Sequence, residues 1–446
     1  MIVCNGTKTN MKGLIIGSGG REHAILYALK RTSTVPLELY CAPGNAGISQ
    51  LANCISVPAA NHSSLIEFVR SEKIDLTIVG PEGPLAEGIV DEFERSGLKI
   101  IGPNRAASRL ESSKAFAKDF MRRHKIPTAE YCIANSSVEA LATLRSSKFG
   151  MPNSAVVVKA DGLAAGKGVV VAPSHADAER AVTELAGGML VAPAAAKQIV
   201  IEEALEGREV SVLLFADGRD YALMPAARDH KRIGENDTGP NTGGMGAITD
   251  PSVVDEDTLN RIVQSIVEPT LEGAQQEGFP FRGILFIGLM LTAAGPKVLE
   301  YNVRFGDPET QAILVRLQSD LFQVFQSIIE GRLRDARVEW SNQSSACVVL
   351  ASAGYPGSYE TGVPISGLNK LARTNEVQVF HAGTAKSAAG GYVTSGGRVL
   401  GITAAAATLE RALARCYSAI EGVHWEGMQY RRDIGQFKES LRAKVV

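Results

Sequence analysis

A chain of 446 residues that is 45% hydrophobic and 21% charged has the length for roughly three domains with well-formed cores. Its formal net charge of -2 excludes a general electrostatic affinity for nucleic acid or anionic membrane, so any anion binding must be local. No segment approaches the apolar length of a membrane span, and the six cysteines, Cys4, Cys41, Cys54, Cys132, Cys347 and Cys416, are scattered without a C-x-x-C pair, which favours reduced thiols over a disulfide framework or a zinc site.

Residues 1–10 lack the apolar core of a secretory signal and read as a short extension before the first strand, with Met11 a possible start. The strand Gly13–Ile16 runs into Gly17-Ser18-Gly19-Gly20 and an amphipathic helix to about Lys30. Glycines between strand and helix let backbone N–H groups approach a phosphate; a plain tight turn is the other reading. A dinucleotide fingerprint fails, because G-x-G-x-x-G needs glycine where Glu22 stands and no acid follows the second strand, Leu37–Cys41. Further βα units end in Gly80-Pro81-Glu82 and Gly102-Pro103-Asn104. Together with Asn45 these line one end of a parallel sheet, where such sheets bind ligands. His23 either touches that ligand or packs.

A charged helix from Ser112 closes at Pro127. The strand Ala155–Lys159, the loop Ala160–Gly168 and the strand Val169–Ala172 then form a hairpin flap with two ammonium groups, Lys159 and Lys167, at its tip. No Ser or Thr follows Lys167, so this is not a Walker A loop; it can instead close over phosphates and exclude water. The strand Gln198–Ile201 ends in Glu202-Glu203, read as a nucleotide hinge or an acidic surface turn. Asp229–Ala247 is a long polar, glycine-rich loop, either a binding loop or a linker. A helix at Asp255–Glu277 and a buried strand at Gly283–Leu291 follow.

In Pro296–Gln311, PKVLEYNVRFGDPETQ, the period of a strand puts Glu300 and Asn302 on one face. They are hard oxygen ligands suited to Mg²⁺, and Arg304 beyond them can clamp a phosphate or carboxylate. A solvated strand edge is the plainer reading of that triplet alone. After a helix at Asp320–Leu333 come short strands at Ala346–Ala351, Val377–Gly383 and Gly396–Thr403 and a helix at Ala405–Glu421. This part has no convergent titratable cluster and reads as a supporting domain.

The assembly resembles the ATP-grasp layout, and its wording is closer still. GSGGREHA at 17–24, KADGLAAGKGV at 159–169, DHKR at 229–232, DTGPNTGGMGA at 237–247, EYNVRFGDPETQ at 300–311, LASAGYPG at 350–357 and YRRDIG at 430–435 are similar to the phosphoribosylamine–glycine ligase family, over nearly the whole chain from Met11. The resemblance implies a multidomain α/β and α+β fold. A Rossmann-like domain would span 11–113, an ATP-grasp domain 114–335 with a flap at about 125–195, and a small β-rich domain 336–446. It implies ligation of glycine to 5-phosphoribosylamine with ATP, through glycyl phosphate.

By the same resemblance Lys114, Lys159, Gly166, Lys167, Glu202, Glu203, Leu205 and Glu209 would bind ATP, and Glu300 and Asn302 would hold Mg²⁺ or Mn²⁺. Gly19, Gly20, Asn45, Pro81 and Glu82 would meet the sugar phosphate. Asp229 and Asp307, with Thr242, Gly243, Gly244 and Met245, would position glycine. Arg304 would hold the acyl phosphate, and Arg304, Lys159 and Asp307 would carry the catalysis. One departure stands out: the strand before Glu300, Gly288-Leu289-Met290-Leu291, lacks the second metal-binding acid of many ATP-grasp enzymes, which leaves the number of ions open. A monomeric, monofunctional, cytoplasmic enzyme is expected. Rival readings are an ATP-grasp ligase with another acceptor, a non-catalytic nucleotide-binding module and, weakened by Glu22, a nicotinamide oxidoreductase.

Overall fold

Leu14, Ile15 and Ile16 are fully shielded from solvent, as consecutive apolar residues must be in a parallel strand covered on both faces. Their strand, Met11–Gly17, is the centre of a five-stranded parallel sheet ordered Asn53–Cys54, Leu37–Pro43, Met11–Gly17, Leu76–Val79, Ile100–Ile101. Strand order reverses at Met11–Gly17, so its C-terminal end opens onto the crevice where such sheets place ligands. The computed structural model describes residues 10–437 apart from 147, 150, 152, 165–167 and 372–375.

A second sheet, four-stranded and antiparallel, is ordered Tyr131–Ala134, Ile199–Glu203, Val156–Ala160, Val169–Ala172. The helices Ser137–Arg145 and His175–Ala186 cover it and close a separate core around Leu144, Val156, Val158 and Leu185. Ser136 and Ser174 start those helices, each side chain accepting an N–H from the first turn.

The third sheet has nine strands and runs Gly295–Asn302, Arg282–Thr292, Arg208–Asp217, Ala227–Asp229, Gly246–Thr249, Ser344–Ala351, Arg398–Ala406, Gln378–His381, with Tyr221–Leu223 paired beside Arg208–Asp217. Gly246–Thr249 pairs with Ser344–Ala351 in antiparallel register, Ala247 opposite Cys347. The C-terminal segment thus extends the central sheet and is hydrogen-bonded into it.

Two sequence expectations are corrected. The stretch Asp229–Ala247 is not an open loop: Arg232–Gly234 and Thr238–Asn241 pair as a two-stranded ribbon, and Gly246–Thr249 is an interior strand. Arg431, 1% exposed, holds that ribbon by donating to Asp237 Oδ1 at 2.7 Å and Arg232 O at 3.0 Å. Ala405 and Ala406 do not start a helix but continue the strand Arg398–Ala406, where Ser344 and Ser345 pair with them; the helix begins at Leu409 behind the Thr408 cap. Ladder partners override the helical propensity of alanine.

Three buried histidines join the C-terminal segment to the rest. His381 N–H donates to His23 Nδ1 at 2.9 Å, with Phe380 edge-on to the His23 ring, so His23 packs. Gly435 N–H donates to His230 Nε2 at 2.9 Å while Phe437 stacks on its ring. Burial lowers His23 to about 3 and His230 and His381 to about 4. Their unfolded value is about 6.5, so the unfolded chain binds more protons in between and stability falls as pH drops from about 6.5 toward 4. Each contributes up to about 1.4 kcal/mol per pH unit in that window. Urea unfolding at pH 7 and pH 5 should show the loss, and His381→Gln should reduce it; equal pH dependence in the two proteins would refute the assignment.

Candidate active site

At the crevice of the parallel sheet, the position that breaks the dinucleotide pattern fills the space itself. Glu22, 2% exposed, accepts the Gly19 N–H at 2.5 Å through Oε2 and the Arg21 Nε–H at 2.6 Å through Oε1. A Cβ on Gly80 would lie 2.0 Å from Glu22 Oε1, and one on Gly17 2.6 Å from its Cδ. A carboxylate therefore sits where a pyrophosphate would approach the strand ends. Two of the residues expected to meet the sugar phosphate have their polar groups engaged within the protein. The Gly19 N–H is held by Glu22. The Asn45 amide is spent inside the protein, donating to Ser18 O at 2.8 Å and His381 O at 2.9 Å and accepting from Gly47 and Ile48 N–H, both at 2.9 Å. Gly20 lies at the helix start against the Gln311 side chain.

Across the crevice Arg304 draws two carboxylates and an amide together. Its Nε donates to Glu82 Oε2 at 3.2 Å, and its NH2 donates to Glu111 Oε1 at 2.9 Å and Asn302 Oδ1 at 3.0 Å. Glu82 opens a helix just after Pro81, and Glu111 also accepts the Val303 N–H at 2.7 Å. Burial and the nearby Glu82 raise Glu111 to about 7 against the pull of Arg304. For Glu82 burial acts upward too, but Arg304 and Arg21 outweigh it and hold the carboxyl below the usual range. Burial disfavours a charged Arg304, yet Glu111, Glu82, Glu309 and Glu300 keep it more firmly protonated than a free guanidinium. Glu300, two residues before Asn302 on the outermost strand, is likewise pushed up by burial and brought below its usual range by Lys231, Lys159, Lys114 and Arg304.

The flap docks on this strand through a buried ionic triad. Glu202, 2% exposed, takes Lys118 Nζ at 2.8 Å and Lys159 Nζ at 2.9 Å on its two oxygens. Lys159 also donates to Leu299 O at 3.1 Å, and Lys118 to Thr128 Oγ1 at 2.7 Å. Two expectations change accordingly. Lys159 is not at the flap tip but inside the strand Val156–Ala160, and the Glu202 carboxylate faces two ammonium groups, an alternation that leaves Glu203 on the opposite face with Lys297 at 3.0 Å. Burial and Lys159 lower Lys118 to about 8, with Glu202 opposing. Lys114, at the start of its helix, donates to Gly162 O at 3.1 Å below the flap; burial lowers its pKa. Leu205 lies half-buried in the turn between the strands ending at Glu203 and starting at Arg208. Gly166 and Lys167 lie outside the described residues.

Around Asp229 the ribbon supplies Lys231, which pairs with Glu209 at 2.9 Å. Burial, with Glu209 and Glu300 nearby, raises Asp229 to about 6 despite Lys231, and burial together with Asp229 raises Glu309 to about 8. Thr242 Oγ1 donates to Lys231 O at 2.8 Å and accepts the Gly244 N–H at 2.9 Å. Met245 is fully buried. Asp307 accepts Gln311 Nε2 at 2.8 Å and faces Arg398 NH2 at 3.3 Å, while Gly243 N–H donates to Tyr355 Oη at 3.0 Å. Arg398 and Tyr355 come from the segment read as merely supporting. A cavity of about 360 Å³ lined by Asp217, Arg219 and Arg282 lies at the other end of the strand from Glu209 and gathers none of these residues.

Three family models match in sequence order: the N domain of phosphoribosylglycinamide synthetase at residues 11–111, its ATP-grasp (A) domain at 112–310 and its C domain at 345–437. The phosphoribosylamine–glycine ligase of Caldanaerobacter subterraneus is 45% identical over 424 residues, 95% of this chain and 99% of that one. That of Escherichia coli K12 is 46% identical over 428 residues, 95% and 98%. The chain belongs to the phosphoribosylamine–glycine ligase family. Among solved structures, the ligase of Thermotoga maritima superposes with a TM-score of 0.81 at 36% identity, over 95% of this chain and 100% of that one. A biotin carboxylase of Campylobacter jejuni shares the fold, with a TM-score of 0.70 at 16% identity over 96% and 94%. As a member of this family the chain is an ATP-grasp ligase of purine biosynthesis.

Sequence reading of this ligase missed Glu111, Lys118, Lys231 as an ion-pair partner, and Arg398. Lys118 had a signal, one helical turn after Lys114 on the same face; Glu111 and Arg398 had none, since their partners lie 193 and 91 residues away. Lys118→Met would leave Glu202 with one cation and should cost a few kcal/mol in urea unfolding. A change under about 0.5 kcal/mol would show that the pair is not buried as described.

Proposed function

We propose that this ligase activates glycine as its acyl phosphate at the junction of the Glu300 strand, the flap and the Arg304 cluster, and that phosphoribosylamine enters from the crevice of the parallel sheet. The observation that carries the reading is the gathering of Lys114, Lys159, Lys231 and Arg304 around Glu300: this much positive charge on one carboxylate suits a site that handles a polyphosphate. A glycine carboxylate oxygen attacks the terminal phosphorus of ATP; the bond to ADP breaks and glycyl phosphate forms. The amine of phosphoribosylamine then attacks the glycyl carbon, phosphate leaves, and the amine gives up a proton. Glycinamide ribonucleotide, ADP and phosphate are the products.

Lys114 and Lys159 neutralise charge on the phosphoryl group in transfer, and Arg304 holds the acyl phosphate. Asp229 receives the glycine ammonium, and Asp307, which the resemblance assigns to glycine, is read here as standing beside the incoming amine, because a Cβ on Gly19 in the crevice would lie 3.5 Å from its Oδ2. The flap keeps water from the acyl phosphate, whose hydrolysis would waste ATP. No protein nucleophile is required, because both bonds form between substrates.

Glu300 and Asn302 fit Mg²⁺ or Mn²⁺. Glu300 is held ionised, and Asn302 Oδ1, though it accepts from Arg304, is an amide oxygen with a second lone pair. Mg²⁺ relies on few protein ligands and fills its other positions with water and phosphate oxygens. When bound, Mg²⁺ screens the phosphates and polarises the phosphorus under attack. The substrates are small molecules, and a monomer working in the cytoplasm is the reading adopted.

Phosphate release should require ATP, Mg²⁺, glycine and freshly made phosphoribosylamine together, with the glycinamide ribonucleotide seen by mass; release indifferent to phosphoribosylamine would move the enzyme to another acceptor. Glu300→Gln should fold normally by circular dichroism and lose several orders of magnitude in turnover, since the metal loses its anionic ligand. Near-normal turnover in that variant would eliminate the metal site.

A further inference from the structure

Asp307 sits where three parts of the chain meet. A Cβ on Gly19, in the first sheet's crevice, would lie 3.5 Å from Asp307 Oδ2. Gln311 of the following helix holds Oδ1 at 2.8 Å, and Arg398 approaches from the C-terminal segment. Its NH1 donates to Asp307 O at 2.8 Å and to Gly243 O, and its NH2 lies 3.3 Å from Asp307 Oδ2. One guanidinium thereby engages two backbone carbonyls and a carboxylate on two separate segments, which only a planar fork can do. The local sequence serves this projection. A Cβ on Gly397 would meet the Tyr355 ring at 2.2 Å, and one on Gly396 would lie 3.0 Å from Gly383 Cα, so the two glycines before Arg398 let the strand start pack tightly there. Ser352 secures them by donating Oγ–H to Gly396 O at 2.9 Å and N–H to Gly397 O at 2.8 Å. The ring so packed places Tyr355 Oη against the Gly243 N–H.

We infer that Arg398 is a positioning residue for amine transfer: it fixes the Asp307 carboxylate and the Gly243 loop relative to each other, and it acts through Asp307. The inference rests on the reading of Asp307 as the residue beside the incoming amine. It assigns the C-terminal segment a part in the chemistry, since a carboxylate free to rotate would not hold an amine in line with the acyl carbon.

The test is a double-mutant cycle on Arg398→Met and Asp307→Asn, with kcat and KM measured for all three substrates and thermal unfolding for each variant. Arg398→Met should lower kcat/KM for phosphoribosylamine about a hundredfold, leave the KM of ATP within about twofold, and add no further loss when combined with Asp307→Asn. Arg398→Lys, which keeps the charge but not the fork, should recover only part, and it carries the cycle if the methionine variant does not fold. Multiplicative losses, or an equal rise in the KM of ATP, would overturn the inference while leaving Asp307 in place. Wild-type turnover of Asp307→Asn alone would overturn the reading of Asp307, and the inference with it.

Discussion

The Arg304 guanidinium is the constraint on which the site depends. It is buried among Glu82, Glu111 and Asn302, and a charge taken out of water survives only if its partners and hydrogen bonds replace what solvent gave. Those partners belong to different elements: Glu82 follows a strand of the parallel sheet, Glu111 ends a helix before the flap, and Asn302 closes the outermost strand of the large sheet. Meeting the needs of one cation therefore fixes the sheets against each other. The same requirement holds Glu300 ionised within a ring of positive charge, so assembly of the fold and preparation of the site are one electrostatic event.

Glu202 applies this logic with the signs reversed. A buried carboxylate between Lys118 and Lys159 would be costly unpaired, so both ammonium groups are held in place and the flap strand is seated on the strand carrying Glu300. Burial, with Lys159 beside it, keeps Lys118 low against the pull of Glu202. The ionic triad and the Arg304 cluster together explain why so many charged residues are buried in a chain whose net charge is close to zero.

Local pattern carried the fold a long way. Apolar runs ending in glycine and proline marked the parallel strands, and strand period placed Glu300 and Asn302 together. Glu22 was legible as an obstacle to a dinucleotide, though not as the group that occupies the crevice. What could not be read was pairing at long range. Arg398 looked like an ordinary residue at a strand start, and the glycine-rich stretch after Asp229 looked like a loop because its ladder partners, Ala227–Asp229 and Ser344–Ala351, lie on either side in space. Met245, in a run of glycines, gave no hint that it enters the core.

The strand Gly295–Asn302 is the last of its sheet, and a terminal strand exposes a row of unsatisfied carbonyls and amides to any chain that can add to it. Here that rim is covered by other means: Val298 N–H donates to Pro127 O at 2.8 Å, Val298 O accepts Thr128 Oγ1 at 2.7 Å, and Leu299 O accepts Lys159 Nζ at 3.1 Å. The contacts that seat the flap are also what shields this edge from self-association.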